Sequence, residues 1–328
     1  MSGKPNRFTR LLGWDAAIVV VALLALVVAS VSVDRFASGR NFGFLVLDLL
    51  PIALIALPMT LIIITGEIDL SVASTLGLTS AAMGSLWNSG LAIETIIPLC
   101  VLLGAVLGAV NGLFITVFKL PSLAVTIGTL ALFRGLAFVV LGDSAVADFP
   151  STFTTWMTAT NGPLILLVVL AVVFTVVLHA TPIGRAAFAA GANDQTARFS
   201  GIRVDRLKFW LYVVSGAVAG LAGVLWTLRY SSARADNGLG LELAVVAAVL
   251  LGGVSIFGGK GAMPGVLAGV LLLATLQNAL RLSDVTNEAL NIVTGALLIV
   301  SVLLPNISRT IRTTAQRRRR RATHNPGN

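Results

Sequence analysis

Apolar residues in this chain come in long blocks, not in short alternating runs. The blocks include Ala16 to Val33, Ile96 to Phe118, Leu164 to Leu178, Phe209 to Leu228 and Pro264 to Leu280. A bilayer core of about 30 Å needs about 20 mostly apolar residues per helix. Read with their interruptions, the blocks predict about ten spans, near 14–33, 44–65, 70–88, 95–118, 122–141, 163–180, 209–229, 243–257, 264–282 and 288–304. The third and eighth are short and rich in Gly, Ser or Ala, and are expected to be broken or re-entrant. Such backbone is tolerated at membrane depth only where protein or a water-filled cavity covers it. The strict alternation of a membrane β-barrel is absent. The predicted fold is therefore all-α: a polytopic transmembrane helical bundle forming one domain over residues 1–328.

Charge adds orientation. Hydrophobic residues make up 56% of the 328 and charged residues only 11%, where a soluble domain carries about 25% charged residues. Basic residues gather in alternate connections: Lys4, Arg7 and Arg10; Lys119; Arg185, Arg198, Arg203, Arg206 and Lys208; Lys260; and the tail from Arg309. Taking that side as cytoplasmic puts both termini inside and requires an even number of spans, ten or else eight. The net charge of +9 and the run Arg317 to Arg321 then read as positive-inside topology and attraction to anionic lipid. No aromatic side chains interleave the run, so nucleic acid is not an expected partner. Residues 305–328 are expected to form a disordered basic cytoplasmic tail. The first apolar run exceeds a signal-peptide core and is expected to be a retained span.

Small residues recur at helical spacing in Gly104, Gly108 and Gly112, and in Gly216, Gly220 and Gly223. Spacing of four puts them on one face, where they let helix backbones approach. A weak repeat relates Ile62 to Gly77 and Gly253 to Gly269, each with a Gly-bearing polar turn that the topology assigns to the cytoplasmic side. That predicts two similarly oriented halves, a common transporter plan.

Candidate chemistry is sparse. Gly66-Glu67-Ile68-Asp69-Leu70-Ser71 puts two carboxylates beside an apolar run. Acids are costly at the bilayer centre, so the pair is expected at the inner surface or in a wet cavity. Ser71 can cap the next helix. No nucleophile, histidine or metal-ligand set accompanies the carboxylates, so neither catalysis nor a metal is expected. Gly258-Gly259-Lys260-Gly261 suggests a phosphate loop but fails on spacing. Val254 stands where its first Gly is required, and Gly261 where a hydroxyl residue would hold magnesium. Cys100 is single, and His179 and His324 are the only histidines. Asn111, Arg134 and Asn278 lie within spans and are expected to face protein or a solute path. With Glu67, Asp69 and Ser71 they are the pathway or gate candidates. Asp48, His179 and Gln277 are assigned to span edges or helix–helix hydrogen bonds.

The connection Thr181 to Lys208 predicts a helix over Arg185 to Ala190, a stop at Gly191, and a second short helix capped by Asn193 or Asp194 and ending at Phe199 before Gly201. Two readings stand: a helix that docks in a groove of a soluble partner, or a charged connector.

The segment Gly184 to Ile202 resembles the cytoplasmic loop of the ribose-type permeases of ABC importers. Thr65 to Leu76 resembles a second block of that family. Gly240-Leu241-Glu242-Leu243 through Gly252-Gly253, with Phe257-Gly258-Gly259-Lys260-Gly261, resembles a third. Asn111-Gly112, Val125 to Thr129 and Arg134-Gly135 are lesser matches. Glu67, Ala73 and Ala244 depart from the usual Gly, Gly and Asp. Gly66 to Ser71 and Ser232 to Asp236 look closest to rhamnose-type and autoinducer-2-type members. The resemblance implies a type II importer permease in a bacterial plasma membrane. A second permease, identical or paralogous, would complete the pore, and an extracytoplasmic binding protein would deliver a monosaccharide-like solute. Cytoplasmic ATPase subunits would carry the ATP and magnesium, so this chain would bind no cofactor and be no enzyme. It implies an ATPase-coupling loop of Gly184, Arg185, Gly191, Asn193, Ala197, Arg198, Ser200 and Gly201. The competing class is a secondary transporter or channel driven by an ion gradient.

Overall fold

The computed structural model describes residues 14–159, 161–286, 288–301 and 303. The basic N-terminal residues, the tail beyond 304 and His324 lie outside them. Among the described residues the chain is helical. In order it runs α1 (Trp14–Ser32), α2 (Gly39–Ile64), α3 (Val72–Asn88), α4 (Ile93–Thr116), α5 (Ser122–Leu141), α6 (Ser151–Thr158), α7 (Asn161–Ala180), α8 (Pro182–Ala192), α9 (Asp194–Phe199), α10 (Val204–Tyr230), α11 (Leu241–Leu251) and α12 (Met263–Leu282), then α13 (Glu288–Ser301). One isolated antiparallel bridge joins Val146 and Ala233.

Six helices, α2, α4, α5, α7, α10 and α12, are long and apolar enough to cross a membrane, while α1, α11 and α13 are shorter apolar helices. Each of the ten predicted segments is helical over most of its length, but only these six reach spanning length as single helices. The buried helix is α2: every residue from Leu50 to Ile64 is buried, as expected of a helix apolar all round. α4, α5 and α7 keep large apolar side chains exposed, among them Leu102, Ile127 and Val172. In a chain of this composition those faces meet lipid.

The most extensive helix pair is α4 against α10, and the small-residue runs explain it. A methyl group at Gly104 would strike the carbonyl of Gly216 and one at Gly108 the carbonyl of Tyr212, while one at Gly112 would press on Phe209 at 3.0 Å. The helices run antiparallel with their backbones in contact, as the spacing predicts.

The third predicted span, expected to be broken, is one uninterrupted helix, α3; the irregular chain lies before it, and α10 shows its course. Going up α10, Lys208 meets Glu67 at 2.6 Å. Tyr212 donates from its hydroxyl to the Ile68 carbonyl at 3.2 Å, and Ser215 to Asp69 at 3.3 Å. Ser80 and Thr227 then share a hydrogen bond at 2.7 Å. After a turn at Thr65 and Gly66, residues 67–70 thus climb beside α10 outside any helix, and α3 begins about 16 Å along α10, counting 1.5 Å per residue. At the opposite end Arg229 pairs with Asp48 and Val146 bridges to Ala233. We term the Lys208 end lower and the Arg229 end upper. α1 rises from the lower end alongside α12, with Ala22 packed on Ala268 and Phe36 near Leu282. α13 descends past α12, where Gln277 donates to Thr294 at 3.1 Å.

Two local expectations change. α8 continues through Gly191 to Ala192, so the stop falls two residues later, at Asn193. Ser71 makes no side-chain cap to α3; its hydroxyl donates to Asp69 at 2.6 Å.

Gly108→Val should lower stability by about 1–3 kcal/mol through overpacking. Gly128→Ala and Gly135→Ala, where an added methyl meets nothing within 4 Å, should stay within about 0.5 kcal/mol. Thermal unfolding of the purified protein in detergent reads the difference.

Candidate functional site

Three separated turns meet at the lower end. The backbone N–H of Gly259 donates to the carbonyl of Ile64, the last residue of α2, at 2.8 Å. Gly191 of α8 lies against this bond. A methyl group on Gly191 would strike the Ile64 carbonyl and come within 2.5 Å of the Gly259 nitrogen. Gly258 and Gly259 have positive φ, at 79° and 70°, a region glycine enters without steric cost. The two polar turns of the weak repeat therefore touch each other, and the α8–α9 loop touches both.

Local sequence builds that loop. Gly184 lets α8 fold back on α7: a methyl group there would strike the Leu178 carbonyl. Asn193 caps α9 by accepting from the Thr196 N–H at 2.8 Å. Ala197 is buried with Ala190 and Val204. Gly201, at φ 83°, ends α9 while the Ile202 N–H returns to the Ala197 carbonyl at 3.1 Å. The Ser200 hydroxyl only turns back to Thr196, at 2.9 Å, and faces outward. Phe199, at the tip of α9, is 91% exposed.

A chain of alternating charges ties this loop to the helix ends. Lys119 pairs with Asp205 at 2.6 Å. Arg198 grips both oxygens of Asp205 at 2.7 and 2.6 Å and also pairs with Asp194. Lys208 joins Asp194, at 3.3 Å, to Glu67, at 2.6 Å. The network bridges the α4–α5 connection, α9, α10 and the segment that joins α2 to α3. Hydrogen bonds from Arg198, with Lys208 near, hold the Asp194 carboxyl below its usual range. The stability Asp194 contributes is thus fully present above the usual carboxylate value of about 3.9 and is lost as pH falls through the depressed value.

The expected carboxylate pair separates. Glu67 joins the lower-end network, whereas Asp69 is buried at 1% exposure and is not at the surface. Asp69 accepts from the Ser71 N–H at 3.0 Å, the Ser71 hydroxyl and Ser215. Asn111 donates to Ser71 at 2.7 Å. Arg134 faces protein: its guanidinium donates to the carbonyls of Ala235, Asn237 and Ala73 at 2.6, 2.9 and 3.3 Å, strapping the α10–α11 connection to α3. Asn278 exchanges two hydrogen bonds with Asn41, at 2.8 and 3.1 Å. Asn278 also lines an upper-end cavity of about 170 Å³ with Asp48, Trp226, Tyr230, Gln277 and Arg281. His179 lies at the lower end, accepting from the Met263 N–H at 3.3 Å.

Sequence reasoning named Arg198 and Glu67 but missed their partners Lys119, Asp194, Asp205 and Lys208 as site residues. Only the i,i+4 spacing of Asp194 and Arg198 signalled a pair. Removing one member of a mostly buried pair leaves an uncompensated charge, at about 3–5 kcal/mol. Lys208→Met should therefore destabilise the protein by about 3 kcal/mol, and adding Glu67→Gln should recover more than half, as read by a double-mutant cycle on thermal unfolding.

The family described as branched-chain amino acid transport system / permease component matches residues 41–302. The autoinducer 2 import system permease protein LsrD of Escherichia coli O157:H7 is 34% identical over 306 residues, 90% of this chain and 93% of that protein. The protein of the same name from Yersinia enterocolitica serotype O:8 is 33% identical over 90% of this chain and 92% of its own length. No solved structure matches. The matched region takes in the Ile64–Gly191–Gly259 junction, Asp69 and Arg134, and the chain belongs to the branched-chain amino acid transport system / permease component family.

Proposed function

We propose that this chain is the membrane permease subunit of an ATP-driven importer of a monosaccharide-like solute, with its motor on other chains. The observation that carries the reading is the lower-end junction. A surface loop ending in exposed Phe199 is wedged, through Gly191, against the ends of α2 and the 252–262 turn. Force applied to α8–α9 has a direct backbone route into the bundle. Gly184, Arg185, Gly191, Asn193, Ala197, Arg198, Ser200 and Gly201 form the coupling loop in this reading. Phe199 is the anchor offered to a groove on a cytoplasmic ATPase subunit. ATP and magnesium belong to that subunit, and this chain carries no catalytic residue of its own.

The segment holding Glu67, Asp69 and Ser71 is the element moved. It hangs from the junction at one end and leads into α3 at the other, so it is the candidate cytoplasmic gate. Asn111 braces it, Arg134 holds the opposing re-entrant connection, and Asn278 lines the upper cavity on the approach side. Ten spans, with α3 and α11 as the short ones, put the lower end and both termini in the cytoplasm of a bacterium, in keeping with the basic residues there. A second permease, identical or paralogous, completes the pore, and an extracytoplasmic binding protein delivers the solute. Relatives named for autoinducer 2 support a small sugar-like solute of that kind, with rhamnose and ribose-type sugars as neighbours. In this reading residues 1–328 make one permease domain, with 305–328 its basic cytoplasmic tail.

An ion-gradient-driven transporter is the second reading. Buried Asp69, with only hydrogen-bond donors as partners, is the feature it would use. It requires uptake without an ATPase and abolition by an uncoupler alone.

Ser200→Trp alters only an outward-facing position. It should leave thermal stability within about 0.5 kcal/mol while cutting ATP-dependent solute uptake and solute-stimulated ATP hydrolysis at least tenfold in reconstituted vesicles. Normal uptake and hydrolysis in that variant would remove the coupling role.

A further inference from the structure

Between α7 and α10, closed below by α8, runs an open groove of about 870 Å³ with nearly wholly apolar walls. On the α10 side its lining follows one helical face: Arg203, Arg206, Trp210, Val214 and Val218. Spacing of three and four keeps these residues in one stripe. The stripe is graded, with two cations at the lower end, an indole above them and aliphatic side chains beyond. Opposite, α7 contributes Val173 and Phe174, and Val173 is half exposed.

The two arginines differ from their neighbours. Lys119, Arg198 and Lys208 are all spent in the charge network, whereas Arg203 and Arg206 are exposed and their guanidiniums have no ion-pair or hydrogen-bond partner among the described residues. An unpaired pair of guanidiniums offers planar donor sets suited to a phosphate. The length also fits. Arg203 to Val218 spans about 22 Å at 1.5 Å per residue, which exceeds half of the ~30 Å hydrocarbon thickness. The groove therefore covers one leaflet, with its cations at head-group height and Trp210 where interfacial aromatics sit.

We propose that this groove holds an anionic phospholipid of the leaflet at the lower end, its phosphate on Arg203 and Arg206 and an acyl chain along Trp210, Val214 and Val218. A bound lipid there would fill the space between α7 and α10 just above the α8–α9 loop. The inference needs only that the chain is membrane-embedded and does not depend on which solute it carries.

The test uses the purified full-length chain, delipidated in detergent and titrated with phosphatidylglycerol or phosphatidylcholine, with retained lipid read by native mass spectrometry. Phosphatidylglycerol should be held preferentially. The Arg203→Gln/Arg206→Gln double variant should weaken its retention roughly thirtyfold, the loss of two head-group charges. Ala186→Trp, which fills the groove from α8 and leaves both arginines, should displace the lipid as well. Lys260→Gln, which removes an exposed charge at the same end but outside the groove, should change nothing. Equal retention of both lipids, or an equal loss with Lys260→Gln, would reduce the effect to general charge attraction and overturn the site. So would a disulfide between protomers at Val173→Cys in native membranes, which would make the groove a protein interface.

Discussion

The rest of the structure depends on keeping residues 67–70 out of helix inside a helical bundle. Backbone outside a helix lacks the helix's own hydrogen bonds, and at membrane depth no water replaces them. The Glu67 N–H still turns back to the Ile62 carbonyl at 3.3 Å and the Ser71 N–H to Asp69 at 3.0 Å, and neighbouring helices meet much of what remains. Ser122 accepts from the Ile68 N–H at 3.3 Å. Thr126 and Tyr212 donate to its carbonyl at 3.3 and 3.2 Å. Ser71 and Ser215 satisfy Asp69, and Asn111 satisfies Ser71. Three helices, α4, α5 and α10, are thereby held in one register around a strip of chain that belongs to none of them. The glycine contacts between α4 and α10 follow from the same demand, because only close backbones bring Asn111 and Tyr212 to that strip together.

Such a strip also differs mechanically from a helix. A helix is held by its own backbone bonds, while this strip is held by side chains of its neighbours. Its lower end is fixed differently, by an ion pair and by backbone contact at Ile64, Gly191 and Gly259. The firm anchor faces the surface loop, and the side-chain bonds face the interior.

The helices were legible because uninterrupted apolar stretches of about 20 residues have few other uses. The predicted edges of α5 and α12 agree with the observed ones to within a residue. The small-residue faces were legible for a similar reason, since four-residue spacing is a local signal. What was not legible joins residues far apart in the chain. Asn278 was singled out, but its partner Asn41 lies 237 positions away. Glu67 was singled out, but Lys208 lies 141 away. A buried polar residue announces that it needs a partner and not which one. Ser71 shows the converse error. The local rule that a serine before a helix caps it lost to Asn111, whose side-chain amide donates to the Ser71 hydroxyl oxygen that a cap would use.

The glycine at 191 ties these points together. Read in sequence, it looked like a helix stop, because glycine commonly ends helices. In the structure α8 runs through it, and Asn193 supplies the stop. Its small size is used sideways, to let a surface helix press on the Ile64–Gly259 hydrogen bond with no side chain between. A helix that needs glycine only to end would tolerate Asn there. A helix that needs glycine for contact tolerates no side chain, because the first carbon added meets the Ile64 carbonyl. The requirement at 191 therefore comes from the two turns it joins and not from α8 itself, and the loop and the bundle behave as one mechanical unit at this point.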